Sequence, residues 1–251
     1  MSSQDTFNVA VTGNRPFLDY PVNTSQLVRD ALPDAIDRPN KPIIRILKYD
    51  RDTIDTYADV RQVSREIWGG SSSFFRTPVH TDGSSSSGNG SSPGNDHVDI
   101  DLILHLGMVA FDYPQIFTFE TIAHRDGYEL PGDDGKPVDS EELKQLGLPD
   151  TLATAFDVEA AWLKVKEQFP DTPSSVSKNA GHYFCEFRLY SSLAEPLLDK
   201  ALSKKRGRTV FQHLPERHLA EDIALATKIT IAYITALADD PIANGDGNFN
   251  H

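Results

Sequence analysis

A chain of 251 residues carrying a formal net charge of −13 at pH 7 has room for one substantial hydrophobic core. It offers no basic footprint for nucleic acid or an anionic membrane surface, whose phosphates would repel it. Hydrophobic residues at 39% and charged residues at 24% are the balance of a globular domain, and the single cysteine excludes an intramolecular disulfide framework and a thiolate zinc cluster.

The opening "MSSQDTFNVAVTG" lacks the basic and apolar regions of a signal peptide, and no apolar run reaches the length of a membrane span. The expected location is therefore the cytoplasm. Residues 7–13 read as a strand ending in a glycine turn, and Asn23 or Thr24 is placed to cap the helix that follows. Asn23-Thr24-Ser25 matches a glycosylation sequon, but without secretion its simpler role is that cap. Residues 43–49 read as a second strand and 57–68 as a helix. Every residue from Gly83 to Asn95 is Gly, Ser, Asn or Pro, which predicts a disordered surface insertion within 69–98. The run "DLILHLGM" at 101–108 has the near-continuous hydrophobicity of a strand buried on both faces.

In the β-branched and aromatic stretch "QIFTFETIAH", Glu120 reads from composition as an exposed strand-face acid. A helix is expected at 157–169 and a weak strand within 174–181, followed by a small-residue turn into a helix that Pro196 kinks or ends. "TVFQHLP" at 209–215 reads as a strand stopped by proline. Leu219, Ile223, Ala226, Thr230, Tyr233 and Leu237 then form one stripe of a final helix, with a loose tail over 239–251. The alternation predicts a single α/β domain over residues 1–238 with a mostly parallel central sheet covered on both faces.

Cys185 sits where the turn becomes a helix. A lone cysteine is commonly inert core filler. At a helix N-terminus, the dipole and the free N–H groups favour a thiolate instead. Thiol chemistry also needs a base, and the candidates are His105, His124, His182 and His213. His213, at the C-terminal end of a predicted strand, lies on the edge where open α/β sheets build their sites. His105, inside a strand pattern, reads as structural, and His182 as a pocket residue or an exposed one.

Four segments resemble the pyroglutamyl-peptidase I family. "SKNAGHYFCEFRLYSSL" (177–193) is similar to its nucleophile segment and "FQHLPE" (211–216) to its histidine segment. "TFETIAHRDGY" (118–128) resembles its acid segment, and "VTGNRPFLDYPVNTS" (11–25) its N-terminal pocket segment. The resemblance implies an α/β/α sandwich in which Cys185 is the nucleophile, His213 the general base and acid, and Glu120 the group orienting His213. It implies cleavage after an N-terminal pyroglutamyl residue of a blocked peptide. No cofactor and no metal are expected, and a homo-oligomer is a candidate assembly.

Phe17, Asn14 and Met108 would line the substrate pocket. Phe17 keeps the phenylalanine of the family pattern, while Asn14 stands for a phenylalanine, Leu18-Asp19 for a glycine pair, and Met108 for the glutamine of bacterial relatives. Leu130 holds the place of an arginine. These departures favour a second reading, a catalytically weak relative that binds peptide termini through the same cleft. A third, another α/β enzyme such as a nucleoside phosphorylase, finds no phosphate-binding glycine loop in its support.

Overall fold

The central strand of the sheet is one of the apolar runs of the chain. In the computed structural model, which describes residues 6–17, 20–76, 96–110 and 113–244, this strand is Leu102–Met108, buried at every position. Chain order defines β1 (Thr6–Thr12), α1 (Thr24–Ala31), β2 (Ala35–Ile36), β3 (Ile43–Lys48), α2 (Tyr57–Gly69) and then β4, the strand just named. There follow β5 (Phe117–Glu120), β6 (Ile122–His124), α3 (Ser140–Gln145), β7 (Thr151–Ala153), α4 (Val158–Gln168) and β8 (Ser174–Ser177). The chain ends in α5 (Phe184–Leu198), β9 (Thr209–Leu214) and α6 (Ala220–Ala238).

The seven-stranded sheet has the order β2-β3-β1-β4-β9-β5-β8. β3, β1, β4 and β9 run parallel; β2 pairs antiparallel to β3, and β5 antiparallel to β9, with β8 parallel to β5. α1, α4 and α6 pack on one face, where Val11, Leu104, Val210 and Tyr233 belong to the same apolar cluster. α2 and α5 cover the other, with Phe187, Tyr190 and Phe211 between them. The fold is a single α/β/α sandwich built on a mixed, mainly parallel sheet.

Local chemistry accounts for the element ends nearest the site. Asn23 caps α1, its Oδ1 accepting from Ser25 N at 3.1 Å. Thr56 caps α2 through Asp59 N, and Gly70 closes that helix in the left-handed conformation. α5 continues through Pro196 to Leu198 instead of stopping there. Proline cannot donate to the carbonyl four residues earlier, and that carbonyl, on Ser192, accepts from Trp68 Nε1 at 2.8 Å instead. The orphan acceptor is satisfied across the helix pair, so the helix survives its proline.

Residues expected to be loose after Leu237 are held as far as Asn244. Pro241–Asn244 form a 3₁₀ turn, and Arg208 Nη2 donates to Ile242 O. The Gly/Ser/Asn-rich run 83–95 and the pair Leu18-Asp19 lie outside the described residues. Among the described residues no helix is long and apolar enough to cross a membrane.

Candidate active site

Paired residues on neighbouring strands point to the same face of a sheet. Gly107 of β4, His213 of β9 and Thr118 of β5 therefore form one row across the face that α5 covers. His105, Phe211 and Glu120 form the next row on that face. The Glu120 carboxylate reaches diagonally between rows, and its Oε1 lies 2.9 Å from His213 Nδ1. Glu120 is only 2% exposed, because β8 and β9 flank its strand and α5 closes the face. The expectation of an exposed strand-face acid is thus corrected. Its other oxygen, Oε2, is buried with no hydrogen-bond partner among the described residues.

Cys185 occupies the first turn of α5, half-buried and free, at a helix start without a side-chain cap. Its sulfur lies directly above Gly107: a Cβ built on that glycine would sit 3.1 Å from Sγ and 2.5 Å from Phe211 Cζ. Only a residue without a side chain lets the sulfur and the Phe211 ring approach the strand together. His213 is the partner of Cys185. Burial works against a charge on the His213 ring, but the electrostatic and hydrogen-bonding contributions of Cys185, together with those of Glu120, outweigh it. The net effect pushes His213 up from the ordinary 6.5 to about 10.

A group whose pKa is raised by folding contributes stability that is fully present below its unfolded value and lost as pH rises through its folded value. The wild-type advantage over His213→Asn is therefore expected to shrink as pH climbs from 6.5 towards 10. Urea midpoints of both proteins across that window check this. A constant difference would show that the buried ring carries no extra proton.

The cavity in front of these groups encloses about 370 Å³, and its walls include Asn14, Phe17, Met108, Glu120, Cys185 and His213. The three expected catalytic residues and the three expected pocket residues therefore border one space, at the C-terminal edge of β4 and β9. Asn14 is buried, and its Oδ1 accepts from Thr53 Oγ1 at 2.8 Å and from Arg188 Nη1. Met108 Sδ accepts from Thr24 N at 3.4 Å. Leu130 lies elsewhere, 57% exposed, with its carbonyl accepting from Tyr57 Oη.

The other histidines separate. His105 is fully buried, between Thr12 Oγ1 at 2.7 Å and Ser192 Oγ at 2.8 Å. Burial, helped by the Arg188 charge, pushes its pKa well down, so it is a neutral structural group. His182 is outside the cavity wall, its ring turned to Glu186.

Sequence reasoning missed a polar end of the cavity. Asp55 lines it, and Arg188, fully buried in α5, reaches Asp55 Oδ1 at 3.4 Å as well as Asn14. Burial raises the Asp55 carboxyl pKa, opposed by the Arg188 charge. The missed signal was Arg188 itself: a cation in a helix buried at most of its positions must find partners.

No family model matches the sequence, and no curated protein matches it. Solved structures do share its fold. Pyroglutamyl peptidase I from Bacillus amyloliquefaciens superposes with a TM-score of 0.64 at 19% identity, covering 93% of this chain and 96% of its own. Pyrrolidone carboxyl peptidase from Pyrococcus furiosus gives 0.65 at 15% identity, covering 93% and 99%. The enzyme of the same name from Thermococcus litoralis gives 0.63 at 13%, covering 93% and 94%.

Proposed function

We propose that this protein is a divergent member of the pyroglutamyl-peptidase I family, a cysteine hydrolase that releases an N-terminal pyroglutamyl residue from peptides. The observation that carries the reading is the meeting of Cys185, His213 and Glu120 at one cavity, with the Glu120–His213 bond at 2.9 Å. The shared fold supports it.

Catalysis begins with Cys185 as a thiolate and His213 as an imidazolium. The sulfur attacks the carbonyl carbon of the pyroglutamyl residue, and the carbonyl oxygen takes up the negative charge. The backbone N–H of Cys185, in the first turn of α5 where N–H groups lack intrahelical acceptors, would donate to that oxyanion, a contribution of about 10²–10³ in rate for one donor. As the intermediate collapses, the C–N bond breaks and His213 gives its proton to the leaving amine. The acyl group remains as a thioester. Neutral His213 then takes a proton from water, the hydroxide adds to the thioester, and the C–S bond breaks. Pyroglutamate leaves, and the thiolate–imidazolium pair is restored. Glu120 keeps the ring oriented through Nδ1 and balances its charge.

A second reading rests on Asn14 and Met108. Both direct acceptor atoms into the protein, Asn14 Oδ1 to Arg188 and Thr53 and Met108 Sδ to Thr24. With those acceptors engaged, the cavity would hold a peptide terminus without turning it over. One assay separates the two: the purified, reduced protein is given a fluorogenic pyroglutamyl amide alongside prolyl and alanyl amides. Selective release from the pyroglutamyl amide is expected. Binding of that amide without release would favour the second reading.

A further inference from the structure

Beside the cavity, on its outer side, a second cluster of side chains has no part in this chemistry. Glu186, fully buried on the first turn of α5, holds its two oxygens between two imidazoles. Oε1 lies 2.7 Å from His124 Nδ1, and Oε2 lies 3.0 Å from His182 Nδ1. One ligand atom from each of the three residues falls within 4.8 Å of the other two. We propose that His124, His182 and Glu186 form a binding site for a divalent transition metal of the zinc class.

Two imidazoles and one carboxylate, with further positions left to water, are a ligand set that zinc takes readily. A tetrahedral ion with bonds of about 2.0–2.1 Å spaces its ligand atoms roughly 3.3 Å apart. The N···O separations of 2.7 and 3.0 Å, each to a different carboxylate oxygen, need a small opening to reach that spacing, and the remaining ligand-atom separations, all within 4.8 Å, need to close towards it. In the metal-free site each Nδ1 donates its proton to the carboxylate. On binding, each neutral ring shifts its proton to Nε2 and presents the Nδ1 lone pair, so the ion enters without net proton loss.

The backbone around the cluster is shaped to aim these groups. His182 has a φ of 47°, a left-handed conformation unfavourable for a residue with a side chain. Gly127, at φ 102°, leaves the space its ring fills: a Cβ there would stand 2.9 Å from His182 Nδ1. Glu186 is held from behind, accepting from the backbone N–H groups of His182 at 2.8 Å and His124 at 3.3 Å. Tyr128 adds an outer support, its hydroxyl donating to His124 O and its ring set edge-on to His182. The two rings themselves remain partly exposed, 36% and 43%, which gives an ion a route in. An ion there would tie the strand end at His124 to the turn whose Gly181 and Tyr183 form part of the cavity wall.

Cys185 and His213 would compete for zinc, so the test starts from Cys185→Ser. Zinc chloride is titrated into that full-length variant by calorimetry, and one ion per chain is expected. His124→Gln and His182→Asn, each added to Cys185→Ser, should weaken binding at least 100-fold; asparagine tolerates the left-handed backbone at 182. Cobalt(II) in Cys185→Ser should give the visible bands of a four- or five-coordinate nitrogen and oxygen site, which does not depend on either histidine variant folding. Absence of stoichiometric zinc binding in Cys185→Ser, unchanged affinity in both histidine variants, or an octahedral cobalt spectrum like that of the aqueous ion would each overturn the site.

Discussion

Cys185→Ser is expected to lower turnover of a pyroglutamyl amide by about 10⁴-fold or more, with a stability change under about 1 kcal/mol. Cys185 is only partly buried, packed against an apolar cluster on one side and bordering the cavity, so exchanging its sulfur for oxygen removes little packing. Nucleophilicity is what changes. A hydroxyl at this position does not ionise near neutral pH, and the charge partner that raises the His213 pKa disappears with the thiolate. The companion measurement is iodoacetamide labelling of the native wild type, followed by mass spectrometry and residual activity. Labelling at Cys185 and loss of activity should proceed together. A cysteine that reacts only after denaturant is added, in a protein whose serine variant keeps full activity, would be core filler, and the nucleophile would have to be sought elsewhere.

Much of the sandwich was legible because its buried elements carry strong periods. β4 reads as a strand from its unbroken apolar run, and α6 as a helix from its stripe, since burial on two faces or one face dictates those patterns. Elements defined by a partner were not legible. β2 is two residues long and β7 three, and each exists through pairing with β3 or β6 rather than through its own propensity. α3 buries a single apolar side chain, Leu143, so its six residues show no stripe. The reversed direction of β5 did leave a trace. Residues 109–116 link β4 to β5, and a parallel return needs a crossover of a dozen or more residues.

The site was legible unevenly. Cys185 and His213 stand out from their positions, one at a helix start and one at a strand end, where α/β sheets expose reactive groups. Glu120 does not, because a carboxylate in a strand of mixed polarity reads as solvent-facing until the flanking strands and α5 are placed over it. Resemblance to a known acid segment pointed to it where composition misled, and the structure puts it 2.9 Å from His213. Asp55 and Arg188 belong to segments far apart in the chain, and only folding brings them to Asn14. Arg188 nonetheless carried a warning, since α5 is buried at most of its positions and a guanidinium there cannot be left to solvent.

Gly107→Ala is the second substitution expected to have a large effect, and it tests the geometry rather than the chemistry of the site. The new methyl group would lie 2.5 Å from Phe211 Cζ, 2.8 Å from Phe211 Cε1 and 3.1 Å from Cys185 Sγ. The first two distances are far inside van der Waals contact, so the Phe211 ring must move, at a cost of about 1–3 kcal/mol for overpacking. The third presses the nucleophile away from the sheet that carries His213. The sulfur must give by only a few tenths of an ångström, a fraction of the ångström-scale misplacement that costs about 10²-fold in rate, and turnover should fall by roughly 10-fold. Phe211→Leu separates the two consequences, because leucine lacks the ring atoms that meet the methyl group. The double variant should regain urea stability relative to Gly107→Ala alone, while turnover stays low because the contact with Sγ persists. Normal turnover in Gly107→Ala would mean that Cys185 does not react from its position above the strand, and the proposed triad would have to be abandoned.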